Sequence, residues 1–173
     1  MSLETAHLGL TPCFPAHILT LIEDPERFEH AAGFPAAAGL REMFNSAEVS
    51  LDWLAALRAS EGPDPWRHGF FLVHHGARAA IGCAGFKGPP DAAGMVEIAY
   101  GIAPSFEGHG YATEAAAALV AFAFDTGLVE LVRAHTLPAY NASTRVLAKC
   151  GFRHISDVVD PDDGPVWRWE RGR

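Results

Sequence analysis

The sequence predicts an α/β fold of the α+β kind: one sheet interrupted by helices, built as one domain over residues 1–173. Three observations carry this. A chain of 173 residues with 49% hydrophobic and 20% charged residues can bury one sizeable core. Its apolar residues keep helical spacing in some segments and form short β-rich runs in others. These segments come in the order strand, helices, strands, helix, strand, helix, strands. That is not the strict alternation of a dinucleotide-binding fold.

Each element has a local reason. Leu8 and Leu10 alternate with polar neighbours, as in a short first strand. Pro15 suits the first turn of a helix over PAHILTLIED. The Ala-, Gly- and Pro-rich segment from Ala31 to Gly39 reads as an irregular connection. Leu51, Leu54, Ala55 and Leu57 have helical spacing, giving a helix across Ala47–Ala59 that EGPDP ends. Phe70–His75, Ala80–Phe86 and Met95–Ala103 are short runs rich in β-formers, hence three strands. The first two are joined by a hairpin at His75-Gly76-Ala77-Arg78. Alanine, the best helix former, dominates Tyr111–Asp125. Leu131–Thr136 reads as a strand and Asn141–Lys149 as a short helix ended by Gly151. Phe152–Val158 and Val166–Glu170 complete the sheet.

Composition excludes several classes. The net charge is −8 and both halves are acidic, which disfavours a nucleic-acid partner. No apolar run reaches the ~18–20 residues of a membrane helix, so no membrane partner is expected. The start, MSLETAHLGL, lacks the basic and apolar pattern of a secretory signal. Three scattered cysteines without C-x-x-C suit a reducing cytoplasm. No metal is expected: Cys/His clusters are missing, and His74 and His75 point to opposite faces of one strand. A homodimer is compatible with the sequence, which carries no signal for oligomeric state.

The informative stretch is MVEIAYGIAPSFEGHGYATEA, Met95 to Ala115. A strand runs into Pro104, a turn holds Gly108-His109-Gly110, and a helix starts near Tyr111. Glycines allow close backbone approach, and the free N–H groups of a helix start attract anionic phosphate oxygens. A tight turn without ligand is the competing reading. A P-loop is excluded because no lysine follows, and a Rossmann fingerprint because Thr113 stands where a third glycine belongs.

This segment resembles motif A of the GNAT superfamily of N-acetyltransferases, carried by Ser105-Phe106-Glu107-Gly108-His109-Gly110 and the following YATEA. The later stretch HTLPAYNASTRVLAKCGF, His135 to Phe152, resembles motif B of the branch that includes ribosomal-protein N-terminal acetyltransferases. The resemblance implies a mixed, mostly antiparallel central sheet with splayed strands, flanked by helices. It implies acetyl-CoA as cofactor and a primary-amine acceptor, either a protein N-terminus or a small-molecule amine. Ser105 and Glu107 depart from the family pattern, and Glu107 brings a negative charge towards a pyrophosphate.

By that resemblance Ile102 and Pro104 lie along the pantetheine arm. Gly108, His109, Gly110, Tyr111, Ala112 and Thr113 cradle the pyrophosphate, and Asn141 bonds the pantetheine amides. Asn is also a preferred helix N-cap, so both roles stand for Asn141. Backbone groups near Ala99–Gly101 face the cofactor where strands splay. Glu97, a mid-strand acid, is either the general base or an exposed or salt-bridged residue. The family's usual proton-donating tyrosine is replaced by Leu147, which leaves Ser143, Tyr140 or solvent to protonate the CoA thiolate. A non-catalytic acyl-CoA sensor of the same fold is the alternative function.

Overall fold

The computed structural model describes residues 2–45 and 50–173. Eight strands form one sheet: β1 (Leu3–Glu4), β2 (Leu8–Pro12), β3 (Phe70–His74), β4 (Ala79–Phe86), β5 (Met95–Ile102), β6 (Leu131–Thr136), β7 (Arg153–Asp160) and β8 (Gly164–Gly172). Their spatial order is β1-β2-β3-β4-β5-β6-β8-β7. Every pairing is antiparallel except β5 with β6, which is parallel. The helix that makes this crossover is α6 (Tyr111–Asp125).

The remaining helices are α1 (Pro15–Glu23), α2 (Phe28–Ala32), α3 (Leu40–Phe44), α4 (Leu51–Ala59), α5 (Pro65–His68) and α7 (Ala142–Lys149). Local chemistry sets their ends. The Ser50 side chain accepts from the Trp53 amide and starts α4. Asn141 and Thr144 form a reciprocal cap at α7: Asn141 Oδ1 accepts from the Thr144 amide at 3.0 Å, and Thr144 Oγ1 accepts from the Asn141 amide at 2.9 Å.

The structure corrects the sequence reading in places. EGPDP ends α4 but also starts α5, because Asp64 caps the Trp66 amide and Pro65 fills the first helical position. Ala31 and Ala32 finish α2, so the irregular connection is shorter than expected. Both α2 and α3 are five-residue helices, too short for periodicity to reveal, and are held by burial of Phe28 and Leu40. Of the helix expected over 47–59, residues 51–59 are observed and 47–49 lie outside the described residues. Strands β7 and β8 run a few residues further than expected, pairing Asp160 with Gly164 across their turn.

Two cores stabilise the sheet. On one face α6 and α7 pack Leu119, Val120 and Leu147 against Val96, Ile98 and Val132. On the other, α1 to α4 pack Ile18, Leu21, Phe28, Leu40 and Leu57 against Phe71 and Ala80. Each such fully buried large side chain contributes about 1.5–3 kcal/mol relative to exposure. On the β5–β8 half this second face carries Glu97, Arg133, His135 and Arg168 instead of apolar residues, as the strand registers require.

One irregularity positions everything functional. β5 pairs with β6 only over Met95–Glu97 against Leu131–Arg133. Beyond Glu97, β5 stays with β4 while β6 stays with β8, as in His135↔Arg168 and Thr136↔Trp167. The two strands diverge, and the edge of β5 from Ile98 to Ile102 that faces β6 has no strand partner.

Candidate active site

Two grooves meet at this divergence. The larger, about 720 Å³, runs between the β5–α6 connection and α7. Its walls are Tyr100, Gly101, Ile102, Phe106, Glu107, Gly108 and Gly110–Thr113 on one side, and Ser143, Arg145, Val146 and Lys149 on the other. The smaller, about 350 Å³, lies between the diverging strands and the β7–β8 turn; it includes Lys87, Glu97, Tyr100, His135, Thr136, Ser143 and Asp163. Tyr100 and Ser143 line both.

The larger groove has an anion cradle. Gly108 and Gly110 sit at φ 77° and 84°, a left-handed conformation that glycine adopts without steric cost. A β-carbon at either position would meet no protein atom within 4 Å, so the space above them is open. Gly110 caps α6 without a side-chain acceptor, leaving the first amides, those of Tyr111, Ala112 and Thr113, without intrahelical partners. These amides and the helix dipole favour a pyrophosphate-like ligand. Glu107 opposes that charge, but Arg145 and Lys149 face it from α7. The donor set therefore fits a phosphorylated ligand with a long neutral arm, which is the chemistry of a coenzyme A thioester.

Other residues singled out in the sequence fall in different places. Ile102 lines the larger groove and is almost fully buried. Pro104 starts a short 3₁₀ turn, is exposed, packs near Gly39 and does not line the groove. The His109 ring stacks on Tyr111 with centroids 5.6 Å apart, its Nδ1 lies 3.2 Å from the Phe106 carbonyl oxygen, and the residue does not line the groove. Tyr111 hydroxyl lies 2.9 Å from His74 Nε2, tying the start of α6 to β3. Asn141 is engaged as the α7 cap and lines neither groove. Tyr140 is 84% exposed, its ring 5.0 Å from that of Trp167, and also lines neither.

The smaller groove holds the charged groups. Glu97 Oε1 accepts from Lys87 Nζ at 2.8 Å and from His135 Nδ1 at 2.9 Å. Burial pushes the Glu97 carboxyl up, but the hydrogen bonds from His135 and Lys87, with their charge, outweigh it and hold the carboxyl below its ordinary value. Burial likewise pulls the Lys87 ammonium down, and its bond to Glu97 more than offsets this, so it titrates higher than usual. Arg168 Nε lies 3.4 Å from His135 Nε2. On the opposite sheet face, the Tyr100 hydroxyl is 3.3 Å from Ser143 Oγ. Burial raises the Tyr100 phenol and the Ser143 bond offsets only part of that, so it is protonated at neutral pH. No group of three or more His, Cys, Asp or Glu among the described residues is placed to hold a metal ion. No helix there is long and apolar enough to cross a membrane.

Sequence reasoning missed Lys87, Tyr100, His135, Arg145 and Lys149. The signals were present but weak. Tyr100 lies three residues after Glu97, an odd offset that puts it on the other sheet face, and Arg145 and Lys149 share one helix face at i, i+4.

The cradle, the diverging strands and the joined grooves form one continuous cleft that a phosphorylated thioester would fit. Comparison with known families agrees: the acetyltransferase (GNAT) domain matches residues 8–153, and the chain belongs to that family. The cofactor of that family is acetyl-CoA. A relative from Aspergillus fumigatus, FsC-acetyl coenzyme A-N(2)-transacetylase, is 36% identical over 77 residues, 44% of this chain and 32% of the relative. The matched region thus spans about a third of that relative's length. Among solved structures, the ribosomal-protein-S5-alanine acetyltransferase from Vibrio fischeri superposes with a TM-score of 0.68 at 15% identity, covering 99% of this chain and 96% of that one. A ribosomal L7/L12 alpha-N-protein acetyltransferase in complex with coenzyme A gives 0.67 at 14% identity, covering 99% and 98%. At such identities these two likenesses speak for the fold alone.

Proposed function

We propose that this chain, acting as one catalytic domain, acetylates a primary amine by direct attack in a ternary complex. The acceptor is a protein N-terminus or a small-molecule amine. The observation that carries this reading is the meeting of the two grooves at Tyr100 and Ser143. One groove suits a phosphorylated arm, and the other opens onto the same point with proton-accepting groups. Its three cysteines, all unbridged, fit a reducing cytoplasm.

When bound, acetyl-CoA supplies a thioester whose carbonyl carbon takes the amine nitrogen and whose C–S electrons leave on sulfur. The larger groove orients it: the Gly108–Thr113 amides, Arg145 and Lys149 hold the phosphates, and Ile102 packs against the arm. The unpaired β5 edge near Ala99–Gly101 offers backbone donors at the reacting centre. An ammonium nitrogen carries three protons and the product amide one, so two must move. The Glu97 cluster draws one away to solvent on its side of the sheet. Ser143, backed by Tyr100, returns the other to sulfur on the opposite side. Pro104, His109 and Asn141 then act by shaping the turn and the start of α7, and Tyr140 by forming the outer rim beside Trp167.

Deprotonation cost favours an α-amine. At pH 7 it is about 1 kcal/mol for a group of pKa ~7.7–8, against roughly 4.6 kcal/mol for a lysine-type amine of pKa ~10.4. Initial rates with both substrates varied test the order of events. Intersecting double-reciprocal lines and a kcat about 10²-fold lower in Ser143→Ala are expected. Parallel lines with an acetylated protein in the mass spectrum would overturn direct attack.

A further inference from the structure

We propose that His135 is the group that takes the acceptor's proton, with Glu97 as its positioning residue. This rests on the acetyl-transfer reading above and assigns a role that the motif residues do not cover.

The geometry fixes the tautomer. His135 Nδ1 lies 2.9 Å from Glu97 Oε1, an ionised carboxylate that can only accept. Its Nε2 lies 3.4 Å from Arg168 Nε, a guanidinium that can only donate. Nδ1 therefore carries the hydrogen and Nε2 the lone pair. The ring is only 14% exposed and lines the smaller groove. The Arg168 contact is long and weak, so an incoming ammonium can replace it at Nε2.

Glu97 is a poorer choice for the same proton. Its Oε1 already accepts from Lys87 and His135, and protonation of the carboxyl would remove the negative charge that strengthens both bonds. The carboxyl is also held below its ordinary range. A base works best when its basicity lies near the working pH, where an imidazole is better matched than a carboxylate. The groups facing His135 are Glu97 on β5, Lys87 beyond the end of β4 and Arg168 on β8, with Asp160 and Asp163 at the β7–β8 turn. In the step, one N–H bond of the acceptor ammonium breaks and its proton binds Nε2, leaving the nitrogen's electron pair free to form the C–N bond. The imidazolium then releases that proton to solvent.

Two measurements test this. In the first, ¹⁵N chemical shifts of the His135 ring, assigned by their loss in His135→Gln, are read with and without acetyl-CoA at neutral pH. A hydrogen on Nδ1 and a bare Nε2 are expected; a hydrogen on Nε2 would overturn the proposal. The second follows thiol release with an alanyl tripeptide and with a short primary amine. His135→Gln should lose at least about 10²-fold in kcat, together with the acid limb of the pH profile, while its acetyl-CoA affinity is kept. Exogenous imidazole should restore part of the turnover of His135→Ala. Glu97→Gln should keep a displaced acid limb and lose less. Turnover of His135→Gln within about threefold of the parent, with Glu97→Gln inactive, would make Glu97 the direct base. If the parent chain binds acetyl-CoA but acetylates neither amine, the acceptor class above fails, and the tautomer alone decides this proposal.

Discussion

Replacing Gly82 by alanine should damage the site through the backbone alone. Gly82 pairs with Ile102, and Cys83 with Gly101, on the strand whose far edge is left open. A β-carbon at position 82 would stand 2.2 Å from the Gly101 carbonyl oxygen and 3.2 Å from both Gly101 C and Ile102 Cα. Real β-carbons essentially never come under 3.0 Å of a heavy atom beyond their own residue and its chain neighbours, so β5 must retreat from β4. Overpacking of this kind costs about 1–3 kcal/mol, and each ladder hydrogen bond lost adds about 1 kcal/mol. A total of about 2–4 kcal/mol corresponds to a Tm lower by about 5–15 °C for a chain of this size. Thermal unfolding followed by circular dichroism measures it, with Gly62→Ala, whose β-carbon meets nothing within 4 Å, as the control. Weaker acetyl-CoA binding should accompany the lower Tm, since Ala99–Gly101 would move. A Gly82→Ala protein that melts with the parent would refute the β4–β5 register on which the site is built.

Arg145→Ala and Lys149→Ala should each weaken acetyl-CoA binding by about fivefold, near 1 kcal/mol for exposed charges, and flatten its salt dependence; calorimetry at two ionic strengths checks this. Asn141→Ala should lower stability by about 0.5–2 kcal/mol through loss of the α7 cap, read in a urea melt. The Glu97 carboxyl titrates below its ordinary value, so the folded state binds that proton less readily than the unfolded chain. Its contribution is present above the ordinary carboxylate range and is lost as pH falls through the folded value. Glu97→Gln should therefore flatten the acid side of a Tm-against-pH curve.

Much of the fold was legible because periodicity and punctuation agreed. The alanine-rich run gave α6 to the residue, and the β-rich runs gave β3 to β5 nearly so. The short helices α2, α3 and α5 were not legible, since four or five residues leave no period; α2 and α3 rest on burial of Phe28 and Leu40, and α5 starts from its Asp64 cap and Pro65. In the site, Gly108 and Gly110 announced the cradle because no other residue type adopts their backbone cheaply. His135 stayed hidden. Its partners Glu97 and Arg168 are 38 and 33 residues away in sequence, and only the parallel β5–β6 pairing and the β6–β8 register bring them together. Tyr100 was likewise silent until α7 placed Ser143 beside it.

The central claim is that the Gly108–Thr113 cradle and the open β5 edge hold acetyl-CoA with its thioester at the junction of the two grooves. Calorimetric titration of the protein with acetyl-CoA, with desulfo-CoA and CoA as comparisons, tests it most directly. The account predicts micromolar binding of all three, weakened by added salt and by loss of Arg145 and Lys149. Absence of binding up to millimolar acetyl-CoA would contradict it.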